Sequence, residues 1–176
     1  MLFRSTSRPE AVGPRIEPTP SGKRFVESLP VYHLEAAAGE FGPSVAADCI
    51  GWVQTPAGMK TDERHFVSRV VGRSMEPLIP DGSYCVFRRD VAGSRSGKIL
   101  LVQHWAISDP EVGGSYTVKE YRSLKVEAPD SGDDASWTHT AIQLVPRNKD
   151  FRAIWVNPDQ VDELRVIAEF VQLIKN

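Results

Sequence analysis

The feature that most constrains this chain is a succession of short, β-branched segments that begins at Leu29 and continues toward the C-terminus. Residues 65–71 alternate in polarity and are rich in valine. The Pro-Asp-Gly tripeptide at 80–82 is a turn signal, because proline fixes φ and glycine tolerates positive φ. Further segments of the same character lie at 84–87, 98–105, 116–124, 140–145 and 151–156. Short segments separated by turns predict a mainly β domain.

The two ends of the chain differ from this central part in their amino-acid composition. Residues 1–28 contain four prolines, which deny them regular hydrogen bonding, so we expect a flexible Pro-rich arm ahead of a domain over 29–176. Residues 164–174 could form a helix face, but their β-branched side chains favour a strand. Loops are expected at 109–115 and 129–135, where glycine, proline and acidic residues cluster.

Composition argues against several classes of protein. A hydrophobic fraction of 41% and a charged fraction of 25% are ordinary for a soluble globular protein, and a net charge of −2 supplies no basic surface for direct DNA binding. The absence of a secretory leader or a long apolar run predicts no membrane association. The two cysteines, Cys49 and Cys85, suit a cytoplasmic location, and the scattered histidines predict neither a metal nor a cofactor.

Ser74 is the most informative residue, because it follows a predicted strand at a sharp turn. Gly72 lets the backbone turn, and Pro77 prevents the strand from continuing. A serine in this position has backbone N–H groups nearby, as an oxyanion hole requires, and the amides of Arg73 and Ser74 are the candidates. The alternative is a serine that only caps or bridges the turn.

Lys119 is the candidate base for a reactive Ser74, since no histidine stands in a recognisable relation to that serine. It lies in the middle of the predicted strand 116–124, and a period of two puts Thr117 on the same face. Burial would lower the pKa of the amine, which could then accept the Ser74 proton while Thr117 orients it. The alternative is a solvated lysine on an edge strand, which protects against aggregation.

These two segments resemble the LexA-like serine peptidases, a group that contains the SOS repressor, the UmuD-type polymerase accessory protein and phage repressors, and more distantly the bacterial signal peptidases. Residues 72–77 (Gly-Arg-Ser-Met-Glu-Pro), with Asp-Gly at 81–82, are similar to the nucleophile motif of that family. Residues 117–119 (Thr-Val-Lys) resemble the strand that carries its base. The separation of the two residues, 45 positions, is longer than the family leads us to expect, and the loop expected at 109–115 is the natural place for the surplus.

A third resemblance concerns the segment 29–43, which is similar to the self-cleavage region of the family. Leu-Pro-Val-Tyr at 29–32 is followed by Ala-Ala-Ala-Gly-Glu at 36–40, and the family cuts before a glycine. The resemblance therefore implies cleavage between Ala38 and Gly39, although a linker of small residues has the same composition. The closing segments 144–148 and 166–174 resemble the last strands of the peptidase domain.

The resemblance implies a fold and an activity. The fold is a twisted, mostly antiparallel β-sheet or pseudo-barrel of the LexA and signal-peptidase type. The activity is that of an autoprocessing serine endopeptidase with a Ser74–Lys119 dyad, in an SOS, stress or phage-type regulatory response. It also implies a homodimer, with a recombinase filament or another regulatory protein as co-activator. Cutting between Ala38 and Gly39 would release the arm, as in the UmuD type.

Two other hypotheses remain open at this point. The first is a non-cleaving LexA-like module for dimerisation or peptide binding. The second is the peptidase domain of a larger regulator that acts on another protein. Residues 1–28 cannot supply a helix-turn-helix. Self-cleavage at alkaline pH would separate these hypotheses from an autoprocessing enzyme.

Overall fold

The structure, a computed structural model, describes residues 13–34, 36, 49–104, 116–126 and 139–175. Within these ranges it is mainly β, as predicted. The strands are β1 (Ser28–Tyr32), β2 (Cys49–Gln54), β3 (His65–Val70), β4 (Ser83–Arg88), β5 (Ile99–Gln103), β6 (Tyr116–Val126), β7 (His139–Val145), β8 (Ile154–Val156) and β9 (Arg165–Leu173). A 3₁₀ helix spans Pro158–Glu163, and the backbone is helical at Leu34 and Ala36.

All nine described strands belong to one sheet, in the order β2-β1-β3-β4-β9-β5-β6-β7-β8. The pair β1–β3 is parallel and every other pair is antiparallel. The parallel pair arises because the chain passes from β2 on one side of β1 to β3 on the other side. The prediction of a mostly antiparallel sheet is therefore confirmed, and the sheet is mixed and not closed into a barrel.

The predicted strands from residue 65 onward correspond to β3 to β9, and the closing segment is a strand, as favoured. This segment is β9, which lies in the middle of the sheet between β4 and β5. The sequence did not predict β1 and β2 as strands. All five residues of β1 are buried, so it lacks alternation, and β2 is interrupted by Gly51. The loops expected at 109–115 and 129–135 lie outside the described residues.

The described part of the predicted arm lies against β2. Glu17 and Trp52 exchange two backbone hydrogen bonds of 2.8 Å each. Gly51 allows this approach, because a Cβ atom there would lie 2.5 Å from Cγ2 of Ile16 and 2.8 Å from the carbonyl oxygen of Glu17. The ring of Phe25 packs edge-on against Trp52, with 5.7 Å between the centroids.

The main hydrophobic core shows how strongly the sheet curves. The rings of Phe66 in β3 and Phe87 in β4 stack 5.6 Å apart, and both are fully buried. The same cluster contains Met75, which follows β3, and Val118, which belongs to β6. Three strands separate β3 from β6 in the sheet. The sheet must therefore curve enough to bring the segment after β3 against β6.

Candidate active site

The turn after β3 presents Ser74. Gly72 has φ of +108°, a left-handed conformation that glycine adopts without the steric cost of a side chain. Its N–H donates a hydrogen bond of 2.8 Å to Oδ1 of Asp81, and the N–H of Gly82 donates one of 2.9 Å to the carbonyl of Val70. The turn is thus closed by its own backbone and by the Asp-Gly pair that the sequence analysis singled out.

Lys119 occupies the interior of the sheet. Its strand, β6, lies between β5 and β7, and the residue is only 3% exposed. The ladder between β6 and β7 reaches as far as the pair Glu120 and Val145, so Lys119 lies where β6 loses that neighbour. A solvated lysine on an edge strand, the alternative left open by the sequence, does not describe this residue.

The two predicted residues meet at this point. The Nζ atom of Lys119 lies 2.8 Å from Oγ of Ser74 and 2.6 Å from Oγ1 of Thr117. Ser74 is 8% exposed and Thr117 is 2% exposed. A neutral amine has two N–H donors and one lone pair, so it can donate to the threonine and accept from the serine hydroxyl at the same time.

A buried carboxylate adjoins the lysine on the same strand. Glu120 is 7% exposed. Its Oε1 accepts a hydrogen bond of 2.9 Å from Nε of Arg122, and its Oε2 lies 2.8 Å from Nη2 of Arg147. Both carboxylate oxygens are therefore bound by arginines, which satisfies a charge that would otherwise be costly to bury.

Of the other predicted residues, the structure describes Arg73 but not the two at the predicted cleavage site. Arg73 immediately precedes Ser74, and its exposed side chain bonds to Oε2 of Glu76 at 3.1 Å. The oxyanion role of the Arg73 and Ser74 amides stays a prediction. Ala38 and Gly39 lie outside the described residues.

Asn148 contacts this site but was not among the predicted residues. Its backbone N–H donates to the carbonyl of Ser74, and its Nδ2 donates to the carbonyl of Arg73, each at 3.0 Å. The sequence signal at this position is a Pro-x-Asn stretch after a strand, which indicates a turn. Nothing in that signal identifies which carbonyls the turn binds.

Two other kinds of chemistry can be assessed in the described residues, that of the buried Cys85 thiol and that of a bound metal ion. Burial raises the pKa of the Cys85 thiol to about 12, so this sulfur stays protonated. In the ranges that the structure covers, no three His, Cys, Asp or Glu side chains are grouped to hold a metal ion. No helix there has the length and apolar character needed to cross a membrane.

The comparisons with known proteins identify a family. Residues 30–127 match the family model described as Peptidase S24-like, and this range includes both Ser74 and Lys119. No curated protein sequence matches the chain. Since the matched range covers more than half of the protein, the chain belongs to the Peptidase S24-like family and carries a LexA-like serine peptidase domain.

Proposed function

We propose that this protein is an autoprocessing serine endopeptidase, with Ser74 as nucleophile and Lys119 as general base, that cuts its own Ala38–Gly39 bond. The observation that carries the proposal is the buried contact of 2.8 Å between Nζ of Lys119 and Oγ of Ser74. A lysine held almost out of contact with water favours its neutral form, because desolvation penalises the ammonium. A neutral amine next to a hydroxyl is the arrangement that activates a serine without histidine.

In the first half of the reaction, Lys119 takes the hydroxyl proton while Oγ of Ser74 attacks the carbonyl carbon of Ala38. Backbone N–H groups at the turn stabilise the negative charge on the carbonyl oxygen of the tetrahedral intermediate. The C–N bond then breaks, the new ammonium of Lys119 returns its proton to the nitrogen of Gly39, and residue 38 remains as an ester on Ser74.

In the second half, water replaces the leaving amine. Lys119 removes a proton from that water, which attacks the ester carbonyl, and the proton passes to Oγ as the ester bond breaks. The products are a free serine hydroxyl and a carboxylic acid at residue 38, which loses its proton to solvent to become a carboxylate. Thr117, 2.6 Å from the amine, keeps Nζ directed toward the reacting oxygen in both halves.

The topology of the sheet supports cleavage within one molecule. Tyr32 of β1 lies beside Ser68 of β3, and because this pair is parallel, both strands run toward the same edge of the sheet. Ala38 and Ser74 each follow that pair by six positions. Six residues can span up to about 20 Å, which brings the predicted bond within reach of the nucleophile.

The described residues just before the predicted bond belong to the same hydrophobic core as the residue that follows the nucleophile. Leu34 is buried in the core cluster that contains Met75, the residue after Ser74, and Ala36 packs against that cluster. Their backbone is helical. Because a peptidase binds the residues beside the cut as extended chain, cleavage would require Ala36, two positions before Ala38, to leave its helical conformation. A regulatory partner could act by shifting the equilibrium between the helical and the extended conformation. Regulation of this kind agrees with a role in an SOS, stress or phage-type response.

The proposal is tested by incubating the purified protein at alkaline pH and recording intact masses under denaturing conditions. We expect a fragment that begins at Gly39 to accumulate slowly. Its first-order rate constant should not depend on protein concentration, since the substrate is part of the same chain. Failure to find this fragment at any pH, with or without a recombinase filament, would instead favour a non-cleaving dimerisation or peptide-binding module. Cleavage of an added protein alone would favour a domain that acts in trans.

The turn glycine provides a further prediction. Gly72→Ala should lower the free energy of unfolding by about 1–3 kcal/mol, because an alanine is strained at φ of +108°. It should also slow self-cleavage, since relaxation of the strain moves Ser74. Thermal unfolding and the cleavage rate measure the two effects. Gly58→Ala is the matched control, since Gly58 also has positive φ but lies in open space. An equal loss of rate in both variants would mean that stability alone governs cleavage.

A further inference from the structure

Asn148 binds both carbonyl groups that flank the nucleophile. Its backbone N–H donates to the carbonyl of Ser74, and its side-chain Nδ2 donates to the carbonyl of Arg73, each at 3.0 Å. The side-chain oxygen has a separate partner, because Oδ1 accepts a hydrogen bond of 3.1 Å from the N–H of Asp150. That second bond fixes the orientation of the amide group, so the donor end faces Arg73.

These contacts determine the direction of groups that the reaction uses. A peptide unit is planar, and in a trans unit the N–H points opposite to the C=O. The carbonyl of Arg73 and the N–H of Ser74 belong to one peptide unit, so fixing that carbonyl also fixes the direction of this N–H. In the same way, fixing the carbonyl of Ser74 fixes the plane of the peptide unit between Ser74 and Met75. With both planes held, the backbone dihedral angles of Ser74 are set, and so is the direction in which its hydroxyl leaves the chain.

The turn that carries Asn148 is also tied to the strand of the base. Arg147, the preceding residue, reaches Oε2 of Glu120 at 2.8 Å, and Glu120 follows Lys119 in β6. Arg147 thus contacts Glu120, the neighbour of the base, while the adjacent Asn148 contacts the nucleophile Ser74. This arrangement is suited to holding the separation of Ser74 and Lys119, because β3, which precedes Ser74, and β6, which contains Lys119, are not neighbours in the sheet.

We propose that Asn148 is a positioning residue for the reaction, which sets the orientation of the Ser74 hydroxyl and amide through the two carbonyls it binds. This inference rests on the proposed function. A purely structural role for Nδ2 of Asn148 is a weaker explanation, since other hydrogen bonds also hold the turn that presents Ser74. Gly72 bonds to Asp81, Gly82 to Val70, and the carbonyl of Arg73 also accepts from the N–H of Glu76 at 3.1 Å.

The test is Asn148→Ser. A serine keeps an acceptor for the N–H of Asp150 and so keeps the turn, but its side chain is too short to donate to Arg73. We expect the limiting rate of self-cleavage at high pH to fall by roughly 10- to 100-fold, as for a small misplacement of reacting groups. The pH at half-maximal rate should stay at the wild-type value, because the environment of the Lys119 amine is unchanged. The melting temperature should also remain close to that of the wild type.

Asn157→Ser is the matched control, since Asn157 is exposed and its side chain makes no capping hydrogen bond. It should cleave at the wild-type rate. A wild-type rate in Asn148→Ser would overturn the inference, and so would a loss of rate that only follows a lowered melting temperature.

If the wild-type protein does not cleave, the proposed function fails, and amide hydrogen exchange at Ser74 and Met75 decides the positioning role. Faster exchange in Asn148→Ser than in Asn157→Ser would support it, and equal exchange would overturn it.

Discussion

Substituting Lys119 by methionine is expected to stop self-cleavage and to leave the protein folded. Methionine has a similar length and no basic nitrogen, so the Ser74 proton has no acceptor. Removal of one member of a nucleophile–base pair lowers rates by about 10⁴- to 10⁶-fold in serine peptidases, which is below detection for a slow reaction. Ser74→Ala should have the same effect, and the double variant should be no slower, because the two residues act as one unit.

Stability distinguishes this result from a failure to fold. Lys119 is 3% exposed, and burying an ammonium is costly. We therefore expect the melting temperature of Lys119→Met to equal or exceed that of the wild type. Lys60→Met, at an exposed lysine outside the site, is the control for the substitution itself and should cleave normally. Accumulation of the Gly39 fragment in both Lys119→Met and Ser74→Ala would refute the dyad.

The rate of self-cleavage is expected to rise tenfold for each pH unit until the amine of Lys119 is mostly neutral, and then to level off. Only the neutral amine accepts the Ser74 proton, so the rate follows the neutral fraction. The ordinary pKa of lysine is about 10.4, and burial should place the midpoint of the profile below that value. Where the profile still has unit slope, a rise of two pH units corresponds to about a hundredfold gain.

The sign of the accompanying stability change follows from linkage. If the pKa of Lys119 is lower in the folded protein than in the unfolded chain, the unfolded chain binds more protons between those two values. The contribution of Lys119 to the free energy of unfolding then rises with pH across that window. The Cys85 thiol contributes with the opposite sign, because burial raises its pKa from 9.0 to about 12 and the folded protein keeps this proton between those values. A cleavage rate that is flat or falls between neutral and alkaline pH would contradict Lys119 as the base.

Ser74 and Lys119 could be recognised as candidates because their signals are local, and the resemblance to the LexA-like peptidases then paired them. The turn chemistry around Gly72 and the central position of Lys119 in a strand are both visible over a few residues. The structure then shows the contact across 45 positions at 2.8 Å. The seven strands from β3 onward were predicted for the same reason, since each has β-branched residues between turn signals.

The arrangement of the sheet could not be predicted in this way. Strand β1 is buried at all five positions and contains Pro30, so it shows neither alternation nor the usual composition. The parallel pairing of β1 with β3 depends on the path taken by residues 55–64, which no local pattern specifies. Asn148 was not recognised because its partners are backbone carbonyls more than 70 positions away. Every residue has a backbone carbonyl, so no residue type in the sequence marks the two that Asn148 binds.

The interior position of β1 has a consequence for the cut protein. Strand β1 precedes Ala38, and it is hydrogen-bonded on one side to β2 and on the other side to β3, both of which follow the cut. A break after Ala38 therefore divides the covalent chain but leaves the sheet continuous. Cleavage at the predicted bond would therefore not release the amino-terminal piece, contrary to what the resemblance implied. That piece would stay bound through β1 as a peptide subunit of the folded protein.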